Sequence, residues 1–512
     1  MLEGNDERVA PIAASKTYLG LLIATAGLIR VIVAVRAQPD GLFDDAYVTL
    51  RYAANLIKGW GFVFNAGERV MGTTSPLFAL MLAAGGRVIG ARHLEGLAVS
   101  LGILASLGTI YLCARILSAA AVPQGVQWTF LALLAFLPSF VANSVSGMET
   151  PVVLFLMSLS LYLYMKHRLM ALSAIGVLLV LSRVDTGFWL LALGIDIVSA
   201  TYRTKAWGAL VRPLALFCAG TGAWLAFAKI YFGSVVPQSI VGKAVSHGAF
   251  QLPDWNYVLA SLSAYVPAER LGVWGLPVVA AIFLILAPSV VDLWRRHPQL
   301  RPVIYFFPLY VGTFIVVRAP LFSWYSMPGK WAFYLMAVYA VRRILVQAAQ
   351  LARLPWNPDY ALALTGICVF GLALQMAVRS RQPSGFEALS DYLERNLTPA
   401  SSVFLEHIGL VSYRTGSYIY DSMGLVTPET TRLRRLYGAE WLPKAARECH
   451  ADVVILYDSD LPEVRSQTDG DAIWFQQHYA HVADYPFSGL VASAYVRNDS
   501  AQAGDHASGH RP

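Results

Sequence analysis

The sequence predicts an all-α polytopic membrane protein with a small C-terminal α/β domain. Of its 512 residues, 56% are hydrophobic and only 14% are charged, whereas soluble domains carry about 25% charged residues. Around a dozen apolar runs approach the length of about 20 residues that a bilayer-spanning helix needs. From Gln382 onward the character changes, and Asp, Glu and Arg become frequent. The chain is therefore mostly a lipid-embedded bundle followed by a water-facing unit.

The apolar runs fall at 17–35, 76–90, 94–117, 127–142, 149–165, 169–182, 187–201, 208–230, 272–290, 302–317, 331–348 and 360–378. They make residues 17–379 a transmembrane domain, preceded by a cytoplasmic segment 1–16 without a signal-peptide cleavage pattern. Basic residues collect in cytoplasmic loops. Lys166 with Arg168, Arg203 with Lys205 and Arg212, Arg295 with Arg296 and Arg301, and Arg342 with Arg343 and Arg353 form such clusters. The net charge of +7 is thus a topology signal, and no nucleic-acid partner is expected. The clusters place Arg183, Asp185, the loops 231–271 and 318–330, and everything after 379 on the extracytoplasmic side. Upstream of Lys166 the alternation fails by one crossing. Either 127–142, interrupted by Pro138, is re-entrant, or the count errs near Arg87 and His93.

Residues 380–497 read as a soluble extracytoplasmic α/β domain. Phe386 to Asn396 has the pattern of an amphipathic helix, and Ser402 to Glu406 and Val453 to Tyr457 read as buried strands. Residues 498–512 form a polar tail expected to be disordered. Cys113, Cys218 and Cys368 lie in apolar runs and Cys449 alone in a polar region, so no disulfide framework is implied.

The first long polar interruption is the loop 36–75, headed by Asp44 and Asp45. Adjacent carboxylates at a membrane surface repel each other and meet lowered polarity, which can raise one pKa toward that of a base. The competing reading is an N-cap for the helix that follows. In that helix Tyr47, Leu50, Ala54 and Ile57 share one face, while Arg51, Asn55 and Lys58 share another. This pattern suggests an amphipathic helix lying on the membrane surface.

Other polar groups fall on the same expected side, where intramembrane ionisable residues are functional candidates. Glu149 in SGMETP starts an apolar run and could equally cap it. Arg183 and Asp185 are close enough to form a structural ion pair. Gln238 and Lys243 lie in YFGSVVPQSIVGK, and Arg318, Trp324, Tyr325 and Lys330 in the next polar stretch. The aromatic residues also suit an interfacial belt, and Lys243 and Arg318 suit snorkelling to headgroups. There is no Walker A loop, GxGxxG turn or HExxH helix.

With these residues in view, DDAYVTLRYAANLIKGWGFVFNAGERVMGTTSPL resembles the first extracytoplasmic loop of GT-C superfamily membrane glycosyltransferases, nearest the cell-wall arabinofuranosyltransferase branch. SGMETP, the Arg183–Asp185 turn, YFGSVVPQS with Lys243, and DSMGLVTPE follow in order, so the resemblance spans roughly residues 17 to 440. Where relatives show YYG…LPN…K, this chain has Tyr231, Phe232, Gly233, then Pro237 and Gln238. The resemblance implies inverting transfer of a sugar from a polyprenyl-phosphate donor to a cell-envelope acceptor. It implies an acidic base at Asp44 or Asp45 and donor or phosphate contacts among Arg51, Glu149, Arg183, Asp185, Gln238, Lys243, Arg318 and Tyr325. No cofactor is assigned, and a divalent metal stays open. The rival classes are a lipid-linked glycan transporter or polymerase and a non-enzymatic envelope protein.

Overall fold

A computed structural model describes residues 12–37, 42–246, 254–266, 269–319, 321–353, 356–378, 386–487 and 490–498. The bundle opens with α1 (Ile12–Ala37), α2 (Asp44–Ile57), α3 (Pro76–Ile89) and α4 (Leu94–Ala119). Helices α5 (Gln124–Phe136) and α6 (Pro138–Ser144) follow, bent by 51° at their junction. Then come α7 (Thr150–Met165), α8 (Leu169–Ser182), α9 (Gly187–Thr204), α10 (Gly208–Phe232) and the short helices α11 (Gln238–Ser246) and α12 (Trp255–Ser263). The bundle closes with α13 (Gly275–Arg296), α14 (Arg301–Val317), α15 (Ser323–Leu351) and α16 (Asp359–Val378). Among the described residues, eight helices are long and apolar enough to cross a membrane, or nine with the bent pair. Helices α3, α7 and α8 are apolar but shorter.

A few contacts fix which way the early helices run. Tyr47 Oη lies 3.4 Å from Glu95 Oε2 at the start of α4. At the other end of α4, His297 Nδ1 lies 2.8 Å from the Ala120 carbonyl, beside the basic cluster Arg295, Arg296 and Arg301. Gly125, at the start of α5, abuts the Asp359 side chain, which pairs with Arg342 at 2.7 Å. Helix α4 therefore runs from the Asp44 end of the bundle to the basic end, and α5 with α6 returns.

Helix α3 consequently starts and finishes at the same end. It is 14 residues long, about 21 Å at 1.5 Å per residue, and it folds back under α2. Gly86 touches Ile57 and Leu94, and Gly85 touches Leu97, so glycines let the turned-back helix pack closely. On this path 76–90 is not a crossing, the second of the two alternatives near Arg87 and His93: Phe78, Ala79, Leu82 and Gly86 pack into the protein, while Leu80, Val88 and Ile89 face outward. Residues 127–142 fall in the bent pair α5 and α6, whose break is at Pro138. The stretch before 331 also differs from expectation, because α15 begins at Ser323 and includes Tyr325 and Lys330.

The C-terminal unit contains α17 (Phe386–Asn396), α18 (Ile408–Thr415), α19 (Pro428–Tyr437), α20 (Trp441–Cys449), α21 (Leu461–Val464) and α22 (Gly470–His478). Its strands are β1 (Ser402–Leu405), β2 (Tyr418–Asp421), β3 (Val453–Tyr457), β4 (Tyr479–Phe487) and β5 (Leu490–Arg497), in the order β2-β1-β3-β5-β4. The pairs β1–β2 and β1–β3 are parallel, and β3–β5 and β4–β5 antiparallel. Side chains alternate across the sheet. Phe404, Val454 and Leu456 pack with Leu433, Trp441 and Phe475. Val403, Leu405, Val453 and Ile455 join the core that continues into the bundle.

This topology makes a directional prediction. Single cysteines at Gly67 and Ala91 should react with a membrane-impermeant maleimide from one side of a sealed vesicle, and one at Ala121 from the other. Labelling of Ala91 and Ala121 variants from the same side would contradict the path of α4.

Candidate functional site

The site is built where α2, the end of the 58–75 segment, the start of α7, helix α11 and the start of α15 meet a loop of the C-terminal unit. Helix α2 is buried on almost every side. It is sandwiched between α3 and α18 and does not lie open on the membrane surface. The face carrying Arg51 and Asn55 is spent on backbone: Asn55 Nδ2 donates to the carbonyls of Val63 and Phe64 at 2.9 and 2.8 Å.

The two aspartates at its head are used differently. Asp44 does not cap its own helix. Its carboxylate accepts N–H bonds from Gly409 (3.0 Å) and Leu410 (2.8 Å), at the N-terminus of α18. Burial raises the Asp44 pKa, opposed by His407 and by these two N–H groups. Seven residues on, Arg51 reaches the other end of α18. It donates to the carbonyls of Ser412, Gly416 (3.0 Å) and Ser417 (3.2 Å), and through Nε to Phe64 (3.2 Å). An anion at the positive end of a helix and a cation at the negative end are each worth up to about 2 kcal/mol when partly buried. A Cβ on Gly409 would collide with the Asp44 carbonyl, so only glycine permits this approach.

Asp45 faces the other way, into a cleft. Its walls include Thr49, Thr73, Ser75, Glu149, Lys243 and Tyr325. Asp45 Oδ2 lies 3.6 Å from Lys243 Nζ, with side-chain exposures of 33% and 21%. Lys243 also donates to Tyr325 Oη at 3.3 Å and sits over the rings of Phe322 and Tyr325. Burial works against its ammonium, yet Tyr325 and Asp45 more than offset that and hold its pKa above the usual lysine value.

Glu149 lines the same cleft, and its side chain makes no capping hydrogen bond. Burial raises its pKa, and Arg183, whose Nε is 3.8 Å from Oε1, opposes the rise. Arg183 is 1% exposed and fully engaged behind the cleft. It pairs with Asp185, donates to Thr150 Oγ1 (3.2 Å), the Trp324 carbonyl (3.3 Å) and Tyr310 Oη (3.2 Å), and stacks under Tyr325. Tyr310 Oη in turn lies 2.6 Å from Asp185 Oδ2. The expected Arg183–Asp185 ion pair is therefore present and supports the floor of the cleft.

Two expected residues are not free cleft walls. Gln238 Nε2 donates to the Gly424 carbonyl (3.0 Å) and Thr431 Oγ1 (3.3 Å), tying α11 to the C-terminal unit. Arg318 turns to Asp254 (3.4 Å) and to the Tyr257 ring, and it does not line the cleft.

Sequence reasoning missed the wall supplied by the loop after β2. Leu425 lines the cleft, and Asp421 shapes that loop by accepting N–H bonds from Met423 (2.8 Å), Leu425 and Val426 (2.9 Å). Burial pushes the Asp421 carboxyl up to about 7. The hydroxyls of Thr49, Thr73 and Ser75 form a second unforeseen wall, with Thr73 and Ser75 oxygens 3.2 Å apart. Three hydroxyl residues in a row, Thr73-Thr74-Ser75, were the visible signal.

Comparisons with known proteins agree with this architecture. The fold matches that of ArnT from Cupriavidus metallidurans bound to undecaprenyl phosphate, with a TM-score of 0.58 at 13% identity, covering 93% of this chain and 98% of that one. It also matches the archaeal oligosaccharyltransferase AglB from Archaeoglobus fulgidus, solved with an inhibitory peptide and a dolichol-phosphate. There the TM-score is 0.52 at 13% identity, over 94% and 74% of the two chains. By sequence, 70 residues are 41% identical to the terminal β-(1→2)-arabinofuranosyltransferase of Mycobacterium tuberculosis. That match spans 14% of this chain and 11% of the relative. Residues 375–505 match a domain of unknown function, DUF8728.

The geometry separates the two aspartates by what their loss does to the fold. Asp44→Ala strands two buried N–H groups and should cost about 2–4 kcal/mol, seen as a lower melting temperature and earlier proteolytic release of the C-terminal unit. Asp45→Asn breaks only a part-exposed ion pair and should cost under about 1 kcal/mol. Equal destabilisation by the two changes would contradict the assignment. Taken together, helix path, cleft and structural neighbours show that this multi-pass membrane chain has the fold of the GT-C glycosyltransferases.

Proposed function

We propose that the protein transfers a monosaccharide from a polyprenyl-phosphate donor to a cell-envelope glycan acceptor at the extracytoplasmic face, with inversion. The observation that carries this reading is the cleft pairing of Asp45 with Lys243, one carboxylate and one cation on a shared open surface. Inverting transfer needs both: a base for the acceptor hydroxyl and positive charge for a phosphate leaving group. The lipid-phosphate ligands of the ArnT and AglB structures and the short arabinofuranosyltransferase match support the donor class.

In the proposed reaction the acceptor oxygen attacks the anomeric carbon through an oxocarbenium-like transition state. Asp45 takes the hydroxyl proton as the new glycosidic bond forms. The anomeric carbon–oxygen bond to phosphate breaks, and the electron pair leaves with polyprenyl phosphate, whose added charge Lys243 stabilises with a hydrogen bond from Tyr325. Lys243 faces Asp45 across the cleft. A donor phosphate competes for the ammonium, so donor binding itself frees the carboxylate to accept a proton. Among the described residues no three His, Cys, Asp or Glu side chains converge to hold a metal ion. Asp44, Arg51, Arg183, Asp185 and Gln238 position these groups without touching substrate.

Purified protein given a panel of radiolabelled polyprenyl-phosphate sugars, pentoses and hexoses alike, should transfer one of them to an envelope glycan. Asp45→Asn should lower turnover by roughly 10²- to 10⁴-fold, the scale of a lost general base, and Lys243→Met should weaken use of the donor more than of the acceptor. Near wild-type turnover by Asp45→Asn would overturn the base assignment and direct attention to Glu149.

A further inference from the structure

A second cavity lies inside the bundle, on the far side of Thr150 from the cleft, with a largely apolar wall that includes Leu134, Phe140 and Leu154. Its polar groups come from Arg30, Ser106, Thr109, Asn143, Ser144 and Thr150. Arg30 sits within α1, fully buried at 0% exposure. Its guanidinium donates to the carbonyls of Ala26 (3.1 Å), Ala135 (2.8 Å) and Leu134 (2.9 Å). Pro138 explains why the Leu134 carbonyl is available: proline has no N–H to return to the residue four before it. Among the described residues no carboxylate pairs with Arg30, and its Nε finds no partner.

The charge is therefore only partly balanced. The C-terminal end of a helix such as α5 supplies about half an elementary charge, whereas a buried cation without a full partner is costly. We propose that the cavity holds one small monovalent anion of chloride size as the counter-charge of Arg30. The space is about 20 Å³, more than the roughly 10–15 Å³ that one water-sized guest needs, and too small for a phosphate or a sugar.

The donor chemistry fits such a guest. Arg30 Nε–H is unused, and the hydroxyls of Ser106, Thr109 and Ser144 now bond carbonyls of their own helices at 2.8, 2.9 and 2.6 Å. Hydroxyl rotors can turn to a better acceptor. Asn143 Oδ1 is also without a partner, and its amide nitrogen makes only a 3.2 Å bond to Ser139. Turning that amide would point its NH₂ at the anion. A water molecule could meet Arg30 Nε and Asn143 Oδ1, but it would leave the charge unbalanced.

The test uses the full chain in detergent at constant ionic strength. Replacing sodium gluconate by sodium chloride or bromide should raise the melting temperature saturably, and a crystal grown in bromide should show an anomalous peak beside Arg30. Thr109→Val with Ser144→Ala should weaken the halide response about tenfold while the protein still folds, and Arg30→Met should abolish it. Lys243→Met should leave it unchanged, which separates this site from the cleft. Identical melting in gluconate and halide with no anomalous peak, meaning water only, would overturn the proposal. So would a halide response that follows Lys243.

Discussion

The site depends on one interaction: Asp44 and Arg51 of α2 gripping the two ends of α18. The two helices lie side by side and parallel, since the head of α2 meets the head of α18 and Arg51 meets its tail. Parallel helix dipoles repel. Placing a carboxylate on the positive end and a guanidinium on the negative end of α18 turns that repulsion into attraction. The residues involved are more than 350 positions apart in sequence, and together with the paired bonds between Asn65 and Ile419 (2.9 and 3.1 Å) they weld the first loop to the C-terminal unit. The weld sets the Asp421 loop, the loop receives α11 through Gln238, and α11 carries Lys243 to Asp45. A close backbone approach at Gly242, where a Cβ would strike the Gly424 carbonyl, completes that chain of contacts.

A second device recurs inside the bundle. Prolines free backbone carbonyls, and buried arginines take them. Pro328 within α15 leaves the Trp324 carbonyl to Arg183, and Pro138 leaves the Leu134 carbonyl to Arg30. An unsatisfied carbonyl in hydrocarbon costs several kcal/mol, and a buried guanidinium costs more if unpaired. Each feature offsets the other. The two arginines differ in one respect. Arg183 has Asp185 and Glu149 beside it, whereas the polar surroundings of Arg30 are carbonyls and a cavity.

Much of this was legible before folding was considered. Apolar runs gave nearly every helix, because a bilayer demands them. Adjacent aspartates at the head of a polar loop pointed to the stretch that supplies Asp45 to the cleft, and the Arg183–Asp185 pair was visible as a close-spaced couple. What the sequence could not show was division of labour. Asp44 and Asp45 are chemically identical, and only the distant amides of Gly409 and Leu410 decide which one is consumed. Helix α3 looked like a span because packing against α2 and α4 asks for the same apolar residues as lipid does. Arg30 passed unremarked inside an apolar run, since its partners are backbone groups that no side-chain pattern reveals.

In the proposed reaction a lipid-phosphate sugar reacts over Asp45 while Asp44 holds the fold. The most direct measurement is a structure with a non-hydrolysable polyprenyl-phosphonate sugar bound. The phosphonate is expected on Lys243 and Tyr325, with the anomeric carbon turned toward Asp45 and Asp44 still bonded to Gly409 and Leu410. A headgroup bound away from Lys243, or an anomeric carbon facing Asp44 or Glu149, would contradict it.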